Sequence, residues 1–177
     1  SPDLTVNTLT GRVGTRDDDL HFEKLFLRTP QSEVTIVGVV RDYLATPLLQ
    51  VTVSSPKLSL PELAGVVPPL GGYNLHPTFD VKADGPQDAI KLALNVTSEA
   101  GKVSGTVTAD LKTPEIGVNG DVSTQNLNLA PILKNPAQKS DITGHAKVDP
   151  RVASAPAATP ALDRFRGRVV FQGPKVV

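Results

Sequence analysis

The side chains of this sequence that could do chemistry are three histidines, scattered carboxylates and a short series of arginines. His21, His76 and His145 are far apart along the chain, and none lies beside another histidine, or a serine and aspartate, that could complete a nucleophile system. The chain contains no cysteine, which excludes a thiolate nucleophile, a thiolate metal site and a disulfide. We therefore predict no catalytic residue and interpret the histidines as ordinary surface residues.

The run Arg16-Asp17-Asp18-Asp19 could offer carboxylate oxygens to Ca²⁺. It lacks the alternating acidic residues, the central glycine and the distal glutamate of an EF-hand, so we interpret it as a solvated hairpin loop. The remaining carboxylates are dispersed, and the glycine patterns of phosphate-binding loops are absent. We expect a non-enzymatic chain with no metal ion and no cofactor.

Three arginines, Arg164, Arg166 and Arg168, alternate along the last predicted strand and form a basic face. Such a face could bind phosphate groups or nucleic acid, but these charges more often keep an edge strand from pairing with another chain. The 177 residues carry 18 basic and 18 acidic side chains, so the formal net charge is zero. Because nucleic-acid affinity comes largely from basic residues that neutralise phosphates, we expect no nucleic-acid partner.

The elements that must position these side chains are predicted to be β-strands. Valine and threonine, which favour a pleated sheet over a helix, are abundant. Apolar and polar side chains alternate at 90–97 and 102–111, which predicts two strands that each have one apolar face. Further strands are predicted at 34–40, 48–53, 78–83, 116–122, 142–148 and 164–171. Helical pattern is confined to short segments at 60–67 and 130–133, each with a proline near its start.

Two segments of the sequence are similar to each other in the same order. The matching pairs are Lys24-Leu25-Phe26-Leu27 with Lys91-Leu92-Ala93-Leu94, Gly38 with Gly105, and Val53-Ser54 with Val122-Ser123. We infer two copies of one unit, with chance similarity between β meanders as the alternative. Stacked copies would build an elongated array in which each unit contacts its neighbours.

The predicted domain organisation follows from these copies. Residues 1–150 form a repeat β-groove domain, with the copies at about 21–87 and 88–150. An Ala/Pro-rich linker or loop follows at 151–162, and 163–177 begins the next repeat or adds a closing strand.

Three motifs carry a resemblance to a known family. The run from Phe22 to Gly38, FEKLFLRTPQSEVTIVG, resembles the strand-pair pattern of the AsmA-like and TamB proteins of the bacterial envelope. The segments Leu58-Ser59-Leu60-Pro61-Glu62-Leu63 and Leu127-Asn128-Leu129-Ala130-Pro131-Ile132-Leu133 resemble that family's Leu-x-Leu followed by a short helical stub. The similarity covers most of residues 4–150.

The resemblance implies a taco- or groove-shaped antiparallel sheet in the periplasm. Members of the family are anchored in the inner membrane, so the anchor of the parent protein is expected outside this chain. The implied role is to move phospholipid between the membranes or to support outer-membrane assembly. The implied partners are phospholipid acyl chains, neighbouring repeats of the parent chain, and inner- or outer-membrane envelope proteins.

These inferences predict an all-β, elongated, curved antiparallel sheet whose aliphatic side forms a groove. Each methylene group moved from water into such a groove contributes about 0.8 kcal/mol, so an acyl chain could be held without directional contacts. The alternative is a two-sheet β-sandwich, a structural or adhesive repeat of a surface or secreted protein, in which the same residues form a packed core. The residues hypothesised to face the groove are Val34, Ile36, Val51, Val53, Ile90, Leu92, Leu94, Val103, Val107, Ile116, Val118 and Val122.

Overall fold

A computed structural model describes residues 4–112, 115–153 and 165–176 of the chain. These residues form one antiparallel sheet of ten strands, in which spatial order equals chain order and β1 and β10 are the two edges. The strands are β1 (Thr8–Arg16), β2 (Asp19–Arg28), β3 (Glu33–Arg41), β4 (Leu48–Lys57), β5 (Thr78–Pro86), β6 (Ile90–Ser98), β7 (Gly101–Asp110), β8 (Glu115–Leu127), β9 (Ile142–Ala153) and β10 (Phe165–Val176). The fold is therefore all-β, as predicted.

Two of the connections in the described part of the chain contain a short helix. Helix α1 (Leu60–Leu63) and a 3-10 turn (Pro68–Leu70) lie between β4 and β5, in what we call the first connection, residues 58–77. Helix α2 (Ala130–Leu133) and a 3-10 turn (Pro136–Gln138) lie between β8 and β9, in the second connection, residues 128–141. No helix in the described residues is long and apolar enough to cross a bilayer.

The order of elements occurs twice along the chain. Three strands, a short helix, a 3-10 turn and a fourth strand run from β2 to β5, and the same series runs from β6 to β9. We call these the first and second units. The division into domains stays a prediction, although β9 extends to Ala153, three residues into the range expected to be a linker. The rest of that range, 154–162, lies outside the described residues.

The structure lengthens several predicted strands and shortens one predicted helix. The segment 8–16, for which no strand was predicted, forms β1 and pairs with β2. The run 16–19 joins these two strands as a tight hairpin, in which Asp17 has a positive φ of 52°. Helix α1 ends at Leu63 rather than Val67, because Gly65 and two β-branched valines precede Pro68 and disfavour the helical conformation.

The described strands all belong to one sheet, and the substantial close contacts between them are those between neighbours in the ladder. A β-sandwich needs two sheets packed face to face, so the alternative two-sheet architecture is not the one this chain adopts. Among the side chains that the structure describes, the buried hydrophobic residues are few: Leu75, Ile90, Ala100, Val107, Ala109 and Ala146.

Glycine is required where neighbouring strands approach most closely. A Cβ on Gly38 would lie 2.1 Å from the carbonyl oxygen of Gln50, and φ at Gly38 is +143°. A Cβ on Gly105, the matching residue of the second unit, would lie 2.3 Å from the carbonyl oxygen of Asp121. No side chain fits at either position without a shift of the backbone, so both glycines permit the close approach of the neighbouring strand.

Candidate functional site

The candidate site is one whole face of the sheet, which we call the aliphatic face. Residues opposite each other in an antiparallel ladder share a face, so the register connects apolar residues from strand to strand. One such row is Leu25, Ile36, Val53, Val81, Leu94, Gly105, Val122 and Ala146, each paired with the next. The face thus extends continuously from β2 to β9.

The ladder places the twelve residues hypothesised to line a groove on this face. Ile36 pairs with Val53, Val51 pairs with Gly38, and Val34 pairs with Leu27 of β2. The hypothesised residues in β6, β7 and β8 occupy positions of the same face in the ladders that join these strands. Ile116 pairs with Val152 in the β8–β9 ladder, and its side chain lies outside the described part of the structure. Contact of these residues with lipid stays a prediction.

The two faces differ in exposure although neither is covered by a second sheet. Ile90 and Val107 are 2% and 5% exposed, and the other hypothesised residues with described side chains are half-buried. On the opposite face of β6, Lys91, Ala93 and Asn95 are exposed. The aliphatic face of β6 is therefore the less exposed of its two faces.

Two hydroxyl groups interrupt the apolar character of the aliphatic face. Ser55 pairs with Phe79, and Thr124 pairs with Val103 and Gly144, so both hydroxyls belong to this face. Neither oxygen has a hydrogen-bond partner, and both are buried. They are the functional candidates that sequence reasoning missed, because neither burial nor hydrogen bonding of a lone hydroxyl can be inferred from sequence pattern.

The opposite face carries a serine–histidine contact that the sequence did not predict. Ser123 Oγ lies 2.8 Å from His145 Nδ1, because the two residues are partners in the β8–β9 ladder. The pair is exposed to solvent, whereas a nucleophile and base that perform catalysis need orientation by a third group and a site that excludes water. We therefore assign the contact to cross-strand stabilisation.

A carboxylate joins the first connection to the β2–β3 hairpin. Glu62 Oε2 accepts hydrogen bonds from Thr29 Oγ1 at 2.6 Å and Ser32 Oγ at 2.5 Å, and Glu62 Oε1 accepts one from the Gln31 N–H at 3.1 Å. Burial by itself would raise the pKa of Glu62. This effect of burial is outweighed by the hydrogen bonds from the two hydroxyls and the Gln31 N–H and by the positive charge of Lys57. The pKa of Glu62 is therefore lowered.

The end of the first connection contacts the second unit. The Glu99 carboxylate accepts hydrogen bonds from the His76 N–H and Nδ1, both at 2.9 Å. The His76 N–H is the main reason that the pKa of Glu99 is lowered. Lys134 Nζ donates to the Gly71 carbonyl and lies 3.9 Å above the ring of Tyr73. The two connections therefore lie side by side at one end of the sheet.

A separate hollow lies at the outer edge of the sheet, between β1 and β2. Its volume is about 480 Å³, and Arg12, Arg16, His21 and Glu23 contribute to its lining around Gly14. Charges of both signs line the hollow, and this mixture favours no single class of ligand.

Within residues 4–112, 115–153 and 165–176, no cluster of histidine and carboxylate side chains could hold a metal ion. Comparisons with protein-family models, with curated proteins and with solved structures found no match to this chain. The functional argument therefore rests on the aliphatic face itself.

Proposed function

We propose that this chain is a non-enzymatic segment of a periplasmic envelope-biogenesis protein of the AsmA-like or TamB type. Its aliphatic face conducts phospholipid between the inner and outer membranes or supports outer-membrane assembly. The acyl chains of phospholipid are the ligand, and neighbouring repeats of the parent chain and envelope proteins are the partners.

The proposal is carried by one observation, an aliphatic face that spans most of a ten-stranded sheet and has no second sheet against it. Soluble proteins rarely leave a contiguous apolar patch larger than a few hundred Å² in water, and larger patches mark interaction or ligand surfaces. From β3 to β9 the row that includes Leu94 contains no charged residue, so a hydrocarbon chain meets no charge along it.

The chemistry of the face suits hydrocarbon better than a polar small molecule. A site that selects one small polar ligand needs several convergent donors and acceptors. The aliphatic face offers methyl and methylene groups, with the hydroxyls of Ser55 and Thr124 as interruptions. Burying each methylene group of an acyl chain there contributes up to about 0.8 kcal/mol, independent of lipid headgroup.

Native mass spectrometry of gently purified protein tests the proposal. We expect phospholipid to copurify with the wild-type protein and to exchange when phosphatidylglycerol vesicles are added. Leu94→Asp places a charge among Val81, Gly105 and the acyl chain, so we expect lipid occupancy to fall by about tenfold or more. Because position 94 is half-buried, the carboxylate introduced there can remain hydrated when no lipid is present, and the variant should fold.

Ala93→Asp is the matched control, because Ala93 is the next residue in β6 and faces the opposite side of the sheet. Circular dichroism verifies that both variants are folded. A wild-type protein that neither copurifies with phospholipid nor takes it from vesicles would overturn the proposal and favour a structural or adhesive role. Equal lipid occupancy in the two folded variants would show that lipid does not lie on the aliphatic face.

A further inference from the structure

The hydroxyls of Ser55 and Thr124 occupy equivalent places in the two units. Each follows directly after a matching pair, Val53-Ser54 in the first unit and Val122-Ser123 in the second. Each lies on the aliphatic face in the third strand of its unit, near the connection that follows. Two equivalent positions therefore carry the same uncommon feature, a buried hydroxyl oxygen without a partner.

A buried hydroxyl without a hydrogen bond destabilises a protein, and native structures contain few of them. Ser55 is 2% exposed, so bulk solvent does not reach its side chain. Alanine at position 55 and valine at position 124 would keep nearly the same shape without this cost. The presence of a hydroxyl at both positions therefore points to a ligand that supplies the missing hydrogen bond.

The position of the hydroxyls indicates which atoms of a ligand they meet. Strands β4 and β8 are four strand spacings apart, or about 19 Å in the plane of the sheet. Each hydroxyl adjoins a long apolar surface and can donate one hydrogen bond to an acceptor. A ligand that matches both features has an uncharged oxygen acceptor attached to hydrocarbon.

We propose that Ser55 and Thr124 donate hydrogen bonds to the ester carbonyl oxygens of diacyl lipids, whose chains lie on the aliphatic face. Each unit then has one hydroxyl group that positions the glycerol ester region of a lipid near the connection of that unit. This inference rests on the proposed function and adds the atoms that recognise the lipid. Because both oxygens are covered, the lipid reaches them after neighbouring side chains, such as Phe79 opposite Ser55, move aside.

A competition between two lipids tests the ester contact directly. The protein is mixed with equal amounts of diester and diether phosphatidylglycerol of the same chain length, which native mass spectrometry separates by mass. The diether lipid has the same chains and headgroup but no ester carbonyl. We expect the wild-type protein to prefer the diester lipid by about fivefold, the value of one hydrogen bond.

The double variant Ser55→Ala, Thr124→Val should lose this preference while it continues to bind both lipids. The matched control is Ser54→Ala, Ser123→Ala, which removes the adjacent hydroxyls on the opposite face and should keep the preference. Thermal unfolding provides a second measurement. The first double variant should be at least as stable as the wild type, because it loses two hydroxyls that have no partner.

The outcomes separate this inference from the proposed function. A wild-type protein that binds neither lipid overturns both. One that binds both lipids equally, or a double variant that keeps the diester preference, overturns the ester contact and leaves the aliphatic face as a lipid site. A double variant that is markedly less stable shows that the hydroxyls have a structural role and also overturns the inference.

Discussion

The two units follow the same course but use different chemistry where the connection meets the hairpin. In the first unit the Ser59 N–H donates to Ser32 Oγ at 3.1 Å, and Glu62 ties Ser32 to Thr29. In the second unit the Asn128 N–H donates to the carbonyl oxygen of Ala100 at 2.7 Å. The same donor position is satisfied by a side chain in one unit and by the backbone in the other.

We call the place where the connection meets the hairpin the junction. The difference indicates that both units share one backbone geometry, although different groups accept the hydrogen bond at the junction. The junction of the first unit depends on a charge and several hydroxyls, all of which must remain paired because Ser32 and Thr29 are each 4% exposed. The junction of the second unit depends on a backbone carbonyl and a buried alanine, Ala100. The first junction should therefore be the more sensitive to substitution and to pH.

The largest expected effect on stability comes from substitution of the matching glycines, Gly38 and Gly105. At each of them the backbone of a neighbouring strand lies close. Gly38→Ala combines a Cβ 2.1 Å from the Gln50 oxygen with an unfavourable φ of +143°. We expect it to lower the free energy of unfolding by about 4 kcal/mol. Gly105→Ala has the overlap without the positive φ, and we expect a loss of about 2 kcal/mol.

Urea unfolding followed by circular dichroism measures both effects. Gly14→Ala is the control, because a Cβ there would contact nothing within 4 Å and should leave the stability unchanged or slightly raised. Equal losses for Gly38→Ala and Gly105→Ala would show that backbone conformation does not distinguish the two positions.

A smaller effect is expected from the third residue of each short helix. Glu62→Ala leaves the buried hydroxyl of Thr29 without its carboxylate acceptor and removes a second bond from Ser32. We expect a loss of about 2 kcal/mol in the free energy of unfolding. Ile132→Ala at the corresponding position of α2 changes a side chain that is 36% exposed, so we expect a loss below about 1 kcal/mol.

The same urea titration measures both variants. A loss in Ile132→Ala that equals the loss in Glu62→Ala would contradict the distinction between a polar and an apolar junction.

The smallest effect is a pH dependence that arises at two contacts of the first connection, one made by Glu62 within it and one made to it by Glu99. Glu62 and Glu99 have lowered pKa values in the folded protein, so they stabilise it above their ordinary pKa of 4.5. That stabilisation is lost as pH falls through the folded-state values. We therefore expect the free energy of unfolding to change little between about pH 7 and pH 5 and to decrease at lower pH.

Denaturant titrations at a series of pH values measure this slope. Glu62→Gln should flatten it, and Ile132→Ala should leave it unchanged. A slope that Glu62→Gln does not alter would remove Glu62 from the pH response.

Local pattern predicted the strands that have regular alternation. Residues 90–97 have alternating apolar and polar side chains, and they form β6 with the expected faces. Strand β1 was not predicted because Gly11 and Gly14 dilute its pattern, and its pairing with β2 compensates for this weak local preference. The short helix at 130–133 was predicted with its observed bounds, since Pro131 near its start marks the first turn.

Contacts between residues far apart in sequence could not be predicted. Glu62 meets Thr29 and Ser32 across about half of the first unit, and Ser123 meets His145 through the register of two strands. Register depends on how complete strands pair, and a shift of one residue would turn every side chain to the other face.

The sequence by itself determined the strand-rich fold and the division of side chains into an aliphatic and a polar face, because a period of two is a property of the local chain. The tertiary structure decided that ten strands form one sheet with no second sheet against it. It also decided that Ser55 and Thr124 are buried on that face without partners. Both outcomes depend on which strands pair and what packs on them, and these are long-range choices that local residue preferences leave open.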